Sequence, residues 1–492
     1  MNVLILTEGG QDIGFGHITR CSSIYEAFEE KGFSPELIVN GDETVQNLVS
    51  DKRYRIMDWL RNRSHLFDMI KPSDIVFIDS YLSDSDLYEE ISNRAGTAVY
   101  FDDNMRIDYP KGFVLNGAIL AEQMPYPKKE DVTYLLGARY SPLRKEFWEV
   151  PKKAIRDDPE VILVTFGGTD IRNLTLRVLK LLIHTFPKLL KKVIIAEGFQ
   201  NVAEIQQVKG NHIELIFSPG AEEMKKAMWE SGIAISAGGQ TLFELARMGV
   251  PTIVVTVADN QSNNVRGWET IGFVEYAGQW DEDGLIDTIS QKIRLLRSKS
   301  LRQRKYKVGR ETVNGLGSSR IVKEVLSGFF RSRFTLRQAT HADARDIFDL
   351  ANDDIVRKGS FESDPIEWED HLIWLKEKLS DSNCLFFIVD CQGEFAGQIR
   401  FDTIPETKEV EISISLQKSI RGLGLSPFIV SRSIEQLLKV RKDVKVVRAY
   451  IKRNNTASIK CFEAVGFKFL KNVRMKGHQA GIYERATVHG PK

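Results

Sequence analysis

Short apolar runs alternate with stretches of helical period through the first 325 residues. Val3-Leu4-Ile5-Leu6 predicts a buried first strand, and Ile18, Cys21, Ile24, Tyr25 and Phe28 recur as the inner face of a helix. The rhythm returns at Glu36–Val39, Ile75–Ile78 and Ala98–Phe101, each run ending in a polar or glycine-containing junction. Strands alternating with helices in this way predict a parallel sheet wrapped by helices, an α/β fold. The pattern restarts over residues 158–325 with Val161–Val164, Val193–Ile195, Ile213–Ile216, Ile233–Ile235 and Thr252–Val255. Two such sheets in tandem, facing each other across a cleft, are therefore expected.

From Phe334 the pattern changes. Phe334-Thr335-Leu336-Arg337 reads as an edge strand, and Thr340 with Asp343 makes a capping box for a helix carrying Ile347 and Leu350. The runs Leu385–Val389, Ala396–Phe401 and Val410–Leu416 read as successive strands joined by short polar turns, which predicts an antiparallel sheet with helices. Ser327–Arg333 is the clearest boundary in the chain.

Length adds that 492 residues suffice for about three ordinary domains. The 42% hydrophobic and 27% charged residues are globular values, and a net charge of +1 gives no general reason to expect nucleic acid or membrane as partner. Small molecules are expected instead. The four cysteines have no CxxC spacing and no neighbouring histidine cluster, so neither a disulfide framework nor a zinc site is suggested. With no long uncharged apolar stretch, a soluble cytoplasmic protein is expected. Lys292, Arg294, Arg297, Lys299, Arg302, Arg304, Lys305, Lys307 and Arg310 form a basic run. It reads first as a solvated helix face and linker, with contact to an anionic substrate or surface as the other reading.

The chemistry begins at Gly14-Phe15-Gly16-His17-Ile18-Thr19-Arg20, where a histidine follows a glycine-rich turn and opens a helix. Unpaired amides there disfavour imidazolium, so His17 is expected to be neutral and able to take a proton or contact an anion. Capping or packing of the helix is the plainer alternative. Asp79-Ser80-Tyr81 and Asp102-Asp103-Asn104 close two further strands, and ligands of open parallel sheets bind at such carboxyl ends. Each aspartate is equally readable as a helix cap.

Ser236-Ala237-Gly238-Gly239-Gln240-Thr241-Leu242-Phe243-Glu244 also leaves a strand and opens a helix, a setting suited to a diphosphate, with Glu244 placed to accept from ribose hydroxyls. Asp259-Asn260-Gln261-Ser262 opens a second helix beside it. Together with Gly249-Val250-Pro251, these motifs resemble the donor half of the GT-B nucleotide-sugar enzymes related to the MurG glycosyltransferase. Gly14-Phe15-Gly16-His17 with Arg20, and Val313-Asn314-Gly315-Leu316-Gly317, resemble one branch more closely, the UDP-sugar hydrolases of pseudaminic acid biosynthesis. The resemblance covers about residues 1–325. It implies two Rossmann-like domains, 1–150 and 151–326, and metal-independent hydrolysis of a UDP-2,4-diacetamido-2,4,6-trideoxy-hexose. His17 would be the base, with Tyr81 and Asn260 holding the attacking water. UDP-sugar binding would fall to Gly16, Arg20, Gly167, Gly168, Gly238, Gly239, Gln240, Thr241, Glu244 and Gln261.

Lys418-Ser419-Ile420-Arg421-Gly422-Leu423-Gly424-Leu425-Ser426 follows the strand ending at Leu416, and its turn exposes successive amides to a pyrophosphate. With Asn455-Thr456-Ala457-Ser458, Phe462 and Gly466-Phe467, it resembles the coenzyme A motifs of the GNAT acetyltransferases, implying an α+β domain over residues 334–492. Acetyl-CoA would be held by Leu416, Arg421, Gly422, Gly424, Leu425, Ser426, Asn455, Ser458 and Phe462. Phe462 stands where that family often carries a tyrosine acid, so Tyr450 or water is left to reprotonate the thiolate. Glu409 or Glu411 is the candidate base, each equally readable as a solvated strand residue.

Joined, the two resemblances imply a bifunctional enzyme that acetylates the 4-amino group of a UDP-amino-sugar and then removes UDP. The alternatives are a glycosyltransferase fused to an acetyltransferase and a non-catalytic sensor of nucleotide-sugar and acetyl-CoA.

Overall fold

Every residue of the run Val161–Val164 is apolar because its strand is covered on both faces: Ile162 and Val164 enter one core and Leu163 the other. In the computed structural model, which describes residues 1–10, 13–208 and 210–487, the chain divides into two units, Met1–Val325 and Leu326–Lys492.

The first unit holds two wholly parallel sheets. Strands β1 (Val3–Gly9), β2 (Glu36–Gly41), β3 (Tyr54–Ile56), β4 (Ile75–Asp79), β5 (Thr97–Phe101), β6 (Gly112–Asn116) and β7 (Val132–Leu136) lie in the order 3-2-1-4-5-6-7. Strands β8 (Val161–Thr165), β9 (Leu190–Ile195), β10 (Ile213–Phe217), β11 (Ile233–Ala237), β12 (Thr252–Thr256) and β13 (Val274–Gln279) lie in the order 10-9-8-11-12-13. Each order reverses once, between β1 and β4 and between β8 and β11, which opens a crevice at the carboxyl ends of those strands. The helix Gly317–Arg331 returns to the first sheet's side, where Ser318 donates to Ser23 at 3.2 Å. Its buried Ile321, Val322, Val325 and Leu326 repeat at helical spacing, so the expected boundary at Ser327–Arg333, which adjoins the division after Val325, begins within the last turns of this helix.

The second unit is one sheet of β14 (Phe334–Gln338), β15 (Cys384–Cys391), β16 (Glu394–Ile404), β17 (Glu409–Leu416), β18 (Val446–Lys452), β19 (Lys468–Met475) and β20 (His478–Ala486), ordered 14-15-16-17-18-20-19. It departs from the expected antiparallel pattern at one pair: β17 and β18 run parallel, because the helix Ser426–Val440 carries the chain back between them. The Thr340 and Asp343 capping box forms as its spacing predicts.

The basic run is a solvated helix face in part: Arg294, Arg297, Lys299, Arg304 and Lys307 are exposed. It spans the helices Leu285–Leu295 and Lys299–Thr312, and two of its cations are buried. Arg302 donates to the carbonyls of Arg156 and Asp157, and Lys305 to those of Gly272 and Val274 while pairing with Glu275. Backbone carbonyls of the segments leading into β8 and β13 thus take the charges that a solvated face would give to water. Nearby Lys153 donates to the carbonyls of Trp229 and Ser231, and burial together with Arg156 and Arg302 pushes its ammonium down to about 8. The unfolded chain therefore holds a proton at Lys153 that the folded chain gives up between pH 8 and the ordinary lysine value of about 10.4, so this group makes stability rise with pH across that window. Chemical denaturation from pH 7.5 to 10.5 is expected to show the rise and Lys153→Met to flatten it. An unchanged slope in the variant would assign the rise elsewhere.

Candidate active sites

The loop after β1 must turn sharply before the helix Gly16–Glu29 begins. Gly14 supplies a φ of +86°, and a bridge pairs Gly10 with Gly14. His17 therefore emerges at the crevice beside the end of β4. Its Nδ1 lies 2.6 Å from Asp79 Oδ1. Arg20, one helical turn later, closes a fork on the same carboxylate, with Nη2 donating to Oδ1 at 2.6 Å and Nε to Oδ2, while Nη1 reaches Asp103 at 3.0 Å. Cys21 Sγ adds a contact to Asp79 at 3.6 Å.

Asp79 is only 1% exposed. Burial by itself would raise its carboxyl, but Arg20 and His17 outweigh that and hold it far below the usual carboxylate range. An ionised Asp79 accepts from Nδ1–H, which leaves Nε2 toward the cleft, 4.0 Å from Glu8 Oε1. The imidazole is thus oriented by a carboxylate as well as by its place at a helix start. Tyr81 packs edge-on against the ring at 4.8 Å, but its hydroxyl donates to Asp103, and burial followed by the Asp103 charge pushes that hydroxyl's pKa up.

A cavity of about 510 Å³ joins this cluster to the second sheet, where Gly238, Gly239, Gln240, Asn260 and Gln261 line the opposite wall. Gly238 has to be glycine: a Cβ there would lie 2.4 Å from Val265 Cγ2. Its neighbours hold it, Gly238 N donating to Gln261 Oε1 at 3.1 Å and Asn264 Nδ2 donating to Gly238 O at 2.8 Å. Gln261 Oε1 also accepts from Val257 N, so Gln261 positions the loop. The amides of Gly239, Gln240 and Thr241 open the helix Thr241–Met248 beside the cavity.

The structure brings His17, Gly16, Arg20, Tyr81, Asn260, Gln261 and the Gly238–Gln240 loop to one cleft. Gly167, Gly168, Thr241 and Glu244 are not among its lining residues. Glu244 departs furthest from expectation. Its carboxylate is buried and bound by both prongs of Arg144, at 2.7 and 2.8 Å, which takes one lone pair of each oxygen expected to meet a ribose. Sequence reasoning missed Arg144, which sits 100 residues away from its partner, and Glu8, which is buried yet lines the cleft. The only signal for Glu8 was an acid just after the apolar run Val3–Leu6 of the first strand.

In the second unit β17 and β18 pair only over Glu409–Glu411 and Val446–Arg448, and then separate. The loop Arg421–Leu425 leaves β17 beyond the separation, with Gly422 and Gly424 at φ of +76° and +75°, and turns into the helix at Ser426. Arg421 does not project from it. Nε donates to Leu416 O at 2.6 Å and Nη1 to Asp353 at 2.8 Å, tying the loop to the strand end. Asn455 caps its own helix by accepting from Ser458 N at 3.1 Å, and Leu416 and Phe462 are core residues, Phe462 packing on Phe467. Glu409 is paired with Arg448, whereas burial, followed by the charge of Asp402, raises the Glu411 carboxyl. Tyr450 stands on β18 past its last pairing with β17.

Residues 161–322 match the model of the glycosyltransferase family 28 C-terminal domain, and residues 333–468 that of the acetyltransferase (GNAT) domain. An uncharacterized protein of Methanocaldococcus jannaschii is 23% identical over 502 aligned positions, which cover 96% of this chain and 98% of that protein. The UDP-2,4-diacetamido-2,4,6-trideoxy-beta-L-altropyranose hydrolase of Campylobacter jejuni is 23% identical over 56% of this chain and 99% of its own length. In Helicobacter pylori, the pseudaminic acid cytidylyltransferase and UDP-2,4-diacetamido-2,4,6-trideoxy-beta-L-altropyranose hydrolase is 24% identical over 55% of this chain, an alignment that spans about half of that relative, 47%. No helix among the described residues is long and apolar enough to cross a membrane.

Proposed function

We propose that this chain, which joins a glycosyltransferase family 28 C-terminal domain to a GNAT domain, is a bifunctional enzyme of UDP-amino-sugar metabolism. The GNAT domain acetylates the 4-amino group with acetyl-CoA, and the first unit hydrolyses the resulting UDP-2,4-diacetamido-2,4,6-trideoxy-hexose to free sugar and UDP. The observation that carries the hydrolase is the His17 imidazole, fixed through Nδ1 by Asp79 and facing a glycine-rich helix start across the cleft. The names of the Campylobacter and Helicobacter relatives support the substrate.

In this reading His17 Nε2 takes a proton from water as the oxygen attacks the anomeric carbon, a contribution of about 10²- to 10⁴-fold in rate. UDP leaves with the bonding pair, its charge met by the amides that open the helix Thr241–Met248. Asn260 reaches the same space from the second sheet and helps to hold the water. In the GNAT domain Glu411, rather than the ion-paired Glu409, takes the amine proton, and Tyr450 returns one to the thiolate in place of the buried Phe462.

A glycosyltransferase is the second reading, because the family 28 match is to a transferase domain. Incubation with a UDP-4-amino-sugar and acetyl-CoA in ¹⁸O-water separates the two. Hydrolysis predicts free diacetamido sugar carrying the label, unlabelled UDP and coenzyme A, with no added acceptor. UDP release that waits for a sugar acceptor would establish the transferase, and release without acetyl-CoA would break the proposed order.

A further inference from the structure

Glu8, the last but one residue of β1, has a side chain that is 1% exposed and still lines the cleft. Its hydrogen-bond partners are neutral: Ser80 Oγ–H donates to Oε2 at 2.5 Å, and the Tyr81 amide donates to Oε1 at 2.7 Å. Ser80 is itself held, accepting from the amides of Leu82 and Ser83 at 3.0 Å, so the carboxylate is fixed by the backbone that leaves β4. Arg20 spends its charge on Asp79 and Asp103 and gives no hydrogen bond to Glu8. The basic group facing Glu8 is His17, whose Nε2 lies 4.0 Å from Oε1. That spacing is too long for a hydrogen bond and admits one water within about 2.8 Å of both atoms.

We propose that Glu8 is the second acceptor for the attacking water: one O–H is directed at His17 Nε2 and the other at Glu8 Oε1. This deepens the hydrolase reading above and rests on it. With both hydrogens held, the two lone pairs of the water oxygen point away from the two acceptors, into the cleft, where one is free to attack. As the new bond to the anomeric carbon forms and the bond to the UDP oxygen breaks, the first proton passes to Nε2 and the second stays on the new sugar hydroxyl. Glu8 therefore takes no proton. It orients the nucleophile, and its charge steadies the imidazolium that Asp79 steadies from the other side.

The test compares wild type, Glu8→Gln, His17→Ala and the double variant with the UDP-diacetamido-sugar, reading kcat, KM, UDP affinity by calorimetry and thermal stability. Replacing a charged acceptor by a neutral one is expected to lower kcat about 10- to 100-fold, with KM and UDP affinity within twofold of wild type. The double variant should be no slower than His17→Ala, because a water that is not deprotonated gains nothing from orientation. Glu8→Asp keeps the charge but withdraws it from the 4.0 Å reach, and should show the same loss if the glutamine variant does not fold. Wild-type kcat in either variant, or losses that multiply in the double variant, would overturn the role of Glu8. A wild-type enzyme that releases no UDP would instead remove the hydrolase reading beneath it.

Discussion

Asp79→Asn is expected to lower UDP-sugar hydrolysis by about 10²- to 10⁴-fold while UDP still binds. An asparagine puts an NH₂ group against Arg20 in either orientation, because Nε and Nη2 donate to different oxygens of Asp79, and His17 Nδ1 shares Oδ1 with Nη2. With the NH₂ at the Oδ1 position it also faces Nδ1, which must then accept, so His17 carries its proton at Nε2, where the water needs a lone pair. With the NH₂ at the Oδ2 position Nδ1–H keeps an acceptor, but the imidazolium formed in the reaction loses the charge that steadies it. Either way the base is present and disabled. UDP affinity should hold, because the glycine loop on the opposite wall is secured by Gln261 and Asn264.

The same substitution has a signature in acid. Asp79 is depressed in the folded chain, so its stabilisation is fully present above the unfolded aspartate value of about 3.9 and is lost as pH falls from there toward the folded value. Denaturation curves taken below pH 4 should be flatter in the variant. Unchanged turnover would show that the tautomer of His17 is not set by Asp79.

Much of the cleft was legible because its parts are local in sequence. A glycine-rich turn, a histidine and a helix start lie within seven residues, and the strand rhythm alone places that turn at a carboxyl end. Arg20 follows His17 by one turn, so both reach the same carboxylate. What stayed hidden depends on pairing across the fold. Nothing in the motif Gly238–Glu244 indicates that Arg144 takes the glutamate, or that Gln261 spends its oxygen on the loop amide. The basic run was legible only in part for a related reason: charge spacing on a helix shows which residues are cationic, while burial of Arg302 and Lys305 depends on backbone carbonyls far away in the chain. In the second unit, the glycines of the loop after β17 fall where positive φ is needed, whereas Arg421 reads as a ligand contact and proves to be a brace. Backbone demands are written locally; the destinations of long polar side chains are not.

The Arg144 and Glu244 pair makes the second large prediction, and it decides between a brace and a ribose contact. The two charges meet in a bidentate geometry with Glu244 6% and Arg144 25% exposed, and Arg144 also lies over the Phe147 ring at 5.3 Å. Removing one partner leaves the other charge largely out of water, at a cost of about 3–5 kcal/mol, whereas removing both leaves no orphan. Arg144→Ala should therefore destabilise by that order, and Arg144→Ala with Glu244→Ala by clearly less than the sum of the single variants. If the pair is a brace, UDP affinity should fall to the same extent in either single variant, because each loosens the helix that follows the cleft-lining Gly239 and Gln240. A ribose contact predicts something different: UDP affinity lost in Glu244→Ala and kept in Arg144→Ala. Calorimetry with UDP and with uracil-containing nucleotides lacking the ribose hydroxyls, on both variants, separates the outcomes. The geometry favours the brace, since Glu244 is largely out of water and both of its oxygens already accept from Arg144.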